Sequence, residues 1–255
     1  MKVGLLDKVV IVTGAASGIG AAIAREAADA GAARLMLTDR DAAGLEVIAT
    51  ELRAGFCVAD LAAPDAPAKI MQATTSLFGR VDGLVNAAGL TTRAALTNGS
   101  AADWDRVFAV NAREQFFLMQ AVVGDMLARK SAGTIVNILS INAQCGAPEL
   151  AIYSGSKGAL ATLTKNAANA HMADRIRANG INLGWVATPG EVHMQAEILG
   201  RGTGWLAKEE AKMPLGRLVQ AEDAARLAIF MLSDASAPMT GVLADLEQKV
   251  MGAPR

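Results

Sequence analysis

Tyr153 and Lys157, four residues apart in Tyr153-Ser154-Gly155-Ser156-Lys157, are the pair whose types and spacing could do acid–base chemistry. On a helix, residues i and i+4 stand one above the other on one face, so phenol and ammonium would be neighbours. A free tyrosine titrates at about 10, too high for a base at neutral pH; a lysine cation beside it favours the phenolate and lowers that value. The result would be a group that takes a proton from an alcohol or gives one to a carbonyl. A partly exposed Tyr and a solvated Lys would read the same way, so the meaning of the string depends on what surrounds it.

The elements that would position this pair begin with a short β-branched run, Val9-Val10-Ile11-Val12, which reads as a strand buried on both faces. It leads into Thr13-Gly14-Ala15-Ala16-Ser17-Gly18-Ile19-Gly20 and then an Ala-rich helical pattern that stops at Gly31. Strand, glycine-rich turn and helix together form a phosphate-binding device. Gly14 permits the tight turn, Gly18 lets a pyrophosphate approach backbone amides at the helix N-terminus, and Gly20 lets helix and strand pack closely. The next strand, Arg34 to Asp39, delivers a carboxylate nineteen residues after Gly20. At that distance Asp39 would accept hydrogen bonds from an adenosine ribose and repel a 2′-phosphate, which predicts NAD over NADP. Arg40 points the other way if it stabilises a phosphate; its alternatives are stacking on adenine or simple solvation.

Later strand ends supply further candidates. Asp60, with Leu61, follows a third strand and would either face the adenine or cap the helix after Pro64. A fourth strand runs into Asn86-Ala87-Ala88-Gly89, whose small residues let a cofactor lie against it; Asn86 would contact the cofactor or tie adjacent strands together. A helical pattern from Asp103 to about Arg129 carries Asn111 on or beside its buried stripe, where an amide needs partners and a purely structural role is open. The fifth strand, Thr134 to Ser140, closes on a hydroxyl that would hydrogen-bond a substrate oxygen or make an ordinary turn.

Composition narrows the partners. Apolar residues make up 52% and aromatics only 4%, so the core is aliphatic and rich in alanine. A net charge of −1, with no basic run carrying interleaved aromatics, argues against a nucleic-acid surface and for a small-molecule substrate. Cys57 and Cys145, like His171 and His193, show no ligand spacing, so no metal site is predicted and both thiols are expected to be reduced. The chain reaches charge early, and no stretch is long enough to span a bilayer, which leads to the expectation of a cytoplasmic protein without membrane partners.

Taken together, the motifs resemble the short-chain dehydrogenase/reductase family in its compact form, over nearly the whole chain from Thr13 to about Asp245. They are Thr13 to Gly20, Asn86 to Gly89, Asn111, Ser140, and Tyr153 with Lys157, in the family's order. The resemblance implies an α/β, Rossmann-type doubly wound parallel sheet of about seven strands with helices on both faces, forming one domain over 1–255. It implies a catalytic tetrad of Asn111, Ser140, Tyr153 and Lys157. Cofactor contacts would come from Gly14, Ser17, Gly18, Ile19, Gly20, Asp39, Arg40, Asp60, Leu61, Asn86, Gly89, Tyr153, Lys157 and Thr188. It further implies a lid over 191–213, where Gly200, Gly202 and Gly204 cluster beside Trp205, a disordered loop being the competing reading. A homo-oligomer, commonly a tetramer, follows from the family.

Two departures stand out. Ala87 replaces the family's usual second Asn, and Leu183 stands before Gly184 where Pro-Gly is common. The tail after Asp245 lacks a Gly-Gly and is read as able to reach a neighbouring subunit. The expected reaction is hydride transfer between NAD and a secondary alcohol or its ketone, a neutral polyol, sugar alcohol or hydroxy-ketone foremost. The alternatives are a carrier-bound β-ketoacyl reductase and a non-catalytic dinucleotide sensor.

Overall fold

The computed structural model describes residues 3–144 and 146–250. Strands and helices alternate: β1 (Val9–Thr13), α1 (Gly18–Asp29), β2 (Arg34–Asp39), α2 (Ala42–Leu52), β3 (Gly55–Val58), α3 (Ala66–Phe78) and β4 (Gly83–Asn86). There follow α4 (Ala101–Phe108), α5 (Glu114–Ala128), β5 (Gly133–Ser140), α6 (Ala151–Ala170), β6 (Ile176–Leu183), α7 (Pro189–His193), α8 (Trp205–Glu210), α9 (Ala221–Leu232) and β7 (Leu243–Leu246). The strands form one seven-stranded sheet in the order β3-β2-β1-β4-β5-β6-β7, with every pairing parallel. Parallel neighbours need crossover connections, and the helices supply them.

Both faces of the sheet are covered, which is why its strands are rich in Val, Ile and Leu. The two-residue period sends Val10 and Val12 of β1, Leu35 and Leu37 of β2, and Val136 and Ile138 of β5 toward α1, α2 and α9. Ile11, Met36, Ile135 and Leu139 go to the opposite face, against α3, α5 and α6. Alanine carries much of the helix packing: Ala21, Ala24 and Ala27 of α1 share a core with Ala224, Ala225 and Ala228 of α9. Small side chains let these two helices approach closely, so few aromatics are needed to fill the layer.

Strand order reverses between β1 and β4, and there the connections diverge to opposite sides and leave a crevice at the carboxyl ends. The glycine turn is built into this point. Gly14 takes a left-handed conformation at φ 69°, and a Cβ on it would come within 2.8 Å of the Ala88 backbone. Gly20 is tighter still: a Cβ there would sit 2.1 Å from the Gly14 carbonyl oxygen. The first turn of α1 therefore rests on the loop that precedes it.

One expected element is interrupted. The pattern from Asp103 to Arg129 folds as α4 and α5 separated by a π-helical turn, Ala109–Arg113. Such insertions widen the helix by one residue and recur at functional positions. This one contains Asn111.

Gly20→Ala is expected to cost several kcal/mol or prevent folding, because backbone must move to admit the methyl. Gly124→Ala, exposed in mid-α5 with nothing within 4 Å of the added carbon, should stabilise by about 0.5–1 kcal/mol. Thermal melts of the two variants test the pair, and equal melting temperatures would show that the Gly14–Gly20 contact is not tight.

Candidate active site

The crevice has a volume of about 370 Å³ and gathers Gly14, Ser17, Gly18, Ile19, Gly20, Asp39, Arg40, Asp60, Leu61, Gly89 and Thr188. Several of its walls are held by hydrogen bonds between elements. Thr13 Oγ1 accepts from the amides of Ala87 and Ala88, both at 3.0 Å, so the end of β1 shapes the turn after β4. Small residues at 87 and 88 suit this approach, and Ala87 fits where the family has Asn. Asp39 Oδ2 accepts from the Ala16 amide at 3.1 Å and Oδ1 from the Asp41 amide at 3.0 Å. Its carboxylate is thereby fixed against the glycine loop, with lone pairs left for a ribose hydroxyl. Ser17, at the N-cap of α1, makes no side-chain cap, and no acidic residue occupies the first turn. Amides at this helix start thus have no side chain competing for them, and they fit a pyrophosphate.

Asp60 lies exposed at the crevice, where its Oδ1 accepts from the Ala62 amide at 2.9 Å. It makes a local turn and is not the cap of α3, a position taken by Asp65. Asn86 does not line the crevice. It is fully buried, and its Nδ2 donates to Asn137 Oδ1 at 2.8 Å, tying β4 to β5. Of the two roles open to it in the sequence, the side chain performs the strand tie. Cys57 is a buried free thiol of β3, and Cys145 lies outside the described residues.

Asn111, Ser140, Tyr153 and Lys157 converge at the carboxyl end of β5. The π turn presents Asn111 inward, where Oδ1 accepts from the Leu90 amide at 2.8 Å and Nδ2 donates to the Leu90 carbonyl at 2.9 Å and Ser156 Oγ at 3.0 Å. Gln115, also fully buried, spans the same turn by donating to the carbonyls of Ala88 at 2.8 Å and Val110 at 3.0 Å. Lys157, only 4% exposed, donates from Nζ to the Ile138 carbonyl at 2.7 Å. Asn111 Oδ1 and Lys157 Nζ border the same point, each 3.5 Å from where a Cβ on Gly89 would be. Helix α6 is seated on the sheet by Asn137, whose Nδ2 donates to Thr164 Oγ1 at 2.8 Å.

Electrostatics depart from the sequence expectation at one point. Burial pushes the Tyr153 phenol above its ordinary value, hydrogen bonding with Ser140 and Thr91 works against the rise, and the Glu191 carboxylate adds to it. Lys157 does not supply the lowering that its spacing suggested, because its ammonium is turned to the Ile138 carbonyl and is itself desolvated. Burial pulls Lys157 from 10.5 down to about 8.

The lid stretch is folded. Thr188 caps α7 by accepting from the Glu191 amide at 3.2 Å, a π turn spans Met194–Ile198, and α8 begins at Trp205. Trp205 is 3% exposed and stacks on Trp185, ring centres 5.5 Å apart. A Cβ on Gly18 would come within 3.4 Å of Thr188 Cγ2, so the stretch expected to form a lid is preceded by a residue lying directly over the glycine loop. After Leu183 the path is set from the tail: Glu247 Oε2 accepts from the Trp185 amide at 3.3 Å, and a Cβ on Gly184 would lie 1.9 Å from that oxygen. Gln248 likewise binds its own chain, accepting from the Leu215 amide at 2.9 Å and donating to the Arg217 carbonyl at 2.6 Å. Through residue 248 the tail therefore closes on its own subunit; residues 251–255 lie outside the described part.

Thr91, Gln115, Asn137, Ser156 and Glu191 reach the site without any local signature in the sequence that marks them as site residues. A spacing of three from Thr188 to Glu191 is a helix-start signature, yet nothing local shows which way its carboxylate faces.

A family model described as enoyl-(acyl carrier protein) reductase matches residues 14–245. The chain belongs to the short-chain dehydrogenase/reductase family. It is 37% identical over 244 residues to 2-(S)-hydroxypropyl-CoM dehydrogenase 3 of Xanthobacter autotrophicus, covering 93% of this chain and 94% of that one. Gluconate 5-dehydrogenase of Gluconobacter oxydans is 34% identical over 236 residues, covering 91% and 90%. Among solved structures, L-sorbose reductase from Gluconobacter frateurii, complexed with NADPH and L-sorbose, superposes with a TM-score of 0.92 over 100% of both chains at 26% identity. Membership of this family of oxidoreductases makes the crevice a dinucleotide site.

The unfolded chain holds the Lys157 proton up to 10.5 whereas the folded chain releases it at about 8, so the unfolded state binds more protons between these values. Stability should therefore rise with pH across that window. Relative to Lys157→Met, the native protein is expected to gain about 1–3 kcal/mol between pH 8 and 10, measured by chemical denaturation. A constant difference would show that the ammonium is not desolvated.

Proposed function

We propose that the protein transfers hydride between a nicotinamide dinucleotide and a secondary alcohol or its ketone. The observation that carries this reading is the convergence of the Tyr153, Ser140 and Thr91 hydroxyls beside the glycine-lined crevice, with Lys157 anchored behind them. The dinucleotide, when bound, supplies the hydride chemistry. The chain holds it with the amides at the start of α1, with Asp39 at the adenosine ribose, and with Thr188 across the glycine loop.

Tyr153 carries the proton. Its raised phenol is protonated at neutral pH, the form that delivers a proton to a carbonyl oxygen in reduction; oxidation requires the phenolate and becomes easier as pH rises. Ser140 positions the substrate oxygen. Asn142 occupies the other side of that hydroxyl, donating its amide to Ser140 Oγ at 3.1 Å. Lys157, still largely cationic at pH 7, is anchored behind the phenol on the Ile138 carbonyl, and Asn111, facing the same point as its ammonium, orders a water leading outward.

Three finer points belong to the same reading. Asp39 favours NAD, since its fixed carboxylate repels a 2′-phosphate; Arg40 at the crevice rim tempers this preference, and the similar L-sorbose reductase was solved with NADPH. A neutral polyol, sugar alcohol or hydroxy-ketone is the favoured substrate, in keeping with the L-sorbose held by that structural relative. Assembly into a homo-oligomer would cover Phe116, Phe117 and Leu127, which α5 leaves exposed. No helix among the described residues is long and apolar enough to cross a membrane, and we place the protein in the cytoplasm.

Tyr153→Phe should lower kcat by about a thousandfold while leaving dinucleotide affinity by calorimetry nearly unchanged; retention of most activity would remove Tyr153 as the acid–base group. Asp39→Ala should shift the NAD-to-NADP ratio of kcat/KM toward NADP by about tenfold or more. An unmoved ratio in steady-state kinetics would cancel the role given to Asp39.

A further inference from the structure

Glu191 is held in an unusual way for a lid residue. It stands in the first turn of α7, next to Gly190, which lines the crevice. Trp185 Nε1 donates to its Oε1 at 2.8 Å and Gln195 Nε2 donates to the same oxygen at 2.6 Å. Both bonds fall on Oε1, so the carboxylate is oriented while Oε2 keeps its capacity to accept from a ligand. The group is half-buried, and it lies close enough to Tyr153 for its charge to be felt by the phenol. Around it the lid buries two polar atoms that no protein group satisfies: Gln195 Oε1 and Trp205 Nε1, in residues 2% and 3% exposed. An acceptor and a donor hidden this way cost free energy unless something meets them.

Arg40 lines the crevice beside Asp39 and Asp60, at the dinucleotide end, and Lys157 donates to the Ile138 carbonyl. Arg93, on the loop after β4, pairs with Glu149 at 2.9 Å. Arg201 lies 4.0 Å from Glu209, which also takes Lys212 at 2.9 Å. Glu191 itself forms no ion pair among the described residues. An anionic substrate end brought against it in a partly desolvated site would meet like-charge repulsion, whereas a hydroxyl would find a prepared acceptor.

We propose that Glu191 determines substrate specificity: its Oε2 accepts a hydroxyl of the substrate away from the reacting carbon, so the site takes neutral polyhydroxylated alcohols and ketones and rejects analogues ending in carboxylate, sulfonate or phosphate. This rests on the alcohol–ketone reading above and deepens it.

The test compares matched pairs, sorbitol with gluconate and L-sorbose with 5-ketogluconate, on the native enzyme and on Glu191→Gln, which keeps the size and removes the charge. Native kcat/KM should favour the neutral member by about tenfold or more, and Glu191→Gln should narrow that ratio by about tenfold, chiefly through a lower KM for the acid. Unchanged dinucleotide affinity would show that the variant lid is folded. Trp185→Phe, which deletes one donor to Oε1 and keeps a ring, should narrow the ratio less. Turnover with the same ratio in both proteins, or a native preference for the acids, overturns the role of Glu191 and leaves the reaction standing. Calorimetry with dinucleotide bound separates the other failure: neutral-selective binding without turnover overturns the proposed reaction and supports Glu191, and binding with no preference overturns both.

Discussion

A buried ammonium sets the terms for this site. Lys157 gives up most of its water when α6 docks on the sheet, and one hydrogen bond to the Ile138 carbonyl takes up part of that loss. That bond requires a strand whose carbonyl is free to accept from above and a helix that presents residue 157 at the right height. Asn137, bridging Asn86 on one side and Thr164 of α6 on the other, fixes the height. The phenol of Tyr153, one helical turn earlier, is then placed near Ser140 and Thr91.

The same logic of close approach governs the dinucleotide end. At the reversal of strand order, β1, its glycine turn and the turn after β4 are drawn together until there is no room for a Cβ at Gly14 or Gly20. Thr13 uses a single hydroxyl to hold two amides of the facing turn, and Asp39 uses its carboxylate to hold a third in the glycine loop. These are polar contacts between segments distant in the chain, and they tie the walls of the crevice together. The Asn111–Lys157 cluster and the dinucleotide cradle thus adjoin: a Cβ on Gly14 would meet Ala88, and one on Gly89 would lie 3.5 Å from both Asn111 Oδ1 and Lys157 Nζ.

The proposed substrate specificity falls to the stretch that follows β6. That stretch starts over Gly18 at Thr188, runs through Glu191 and packs on the stacked pair Trp185 and Trp205. The chain end braces it, with Glu247 pressed against Gly184 and Gln248 between Leu215 and Arg217. Replacement of the family's usual proline by Leu183 is accommodated here because Leu183 stays in β6, paired with Leu246, and packs into the core.

Local chemistry made much of this legible in the sequence. A β-branched run, a glycine turn and an alanine helix specify a strand–loop–helix unit by steric necessity, and its repetition specifies a parallel sheet covered on both faces. Tyr153 and Lys157 could be placed one turn apart on the same helix from spacing alone, since both fall in α6; the direction of the ammonium, which turns to the Ile138 carbonyl, could not. Other properties waited on packing between distant segments. Whether Asn86 faced the cofactor or Asn137 depended on β5 lying beside β4, and the π turn at Asn111 arises where the α4–α5 run meets α6. The rise of the Tyr153 phenol comes from burial, which spacing does not encode, and from Glu191, thirty-eight residues away in the chain. Hydrogen-bond partners, desolvation and the sign of the field at a site are sums over everything the fold brings near, so only the tertiary structure could decide them.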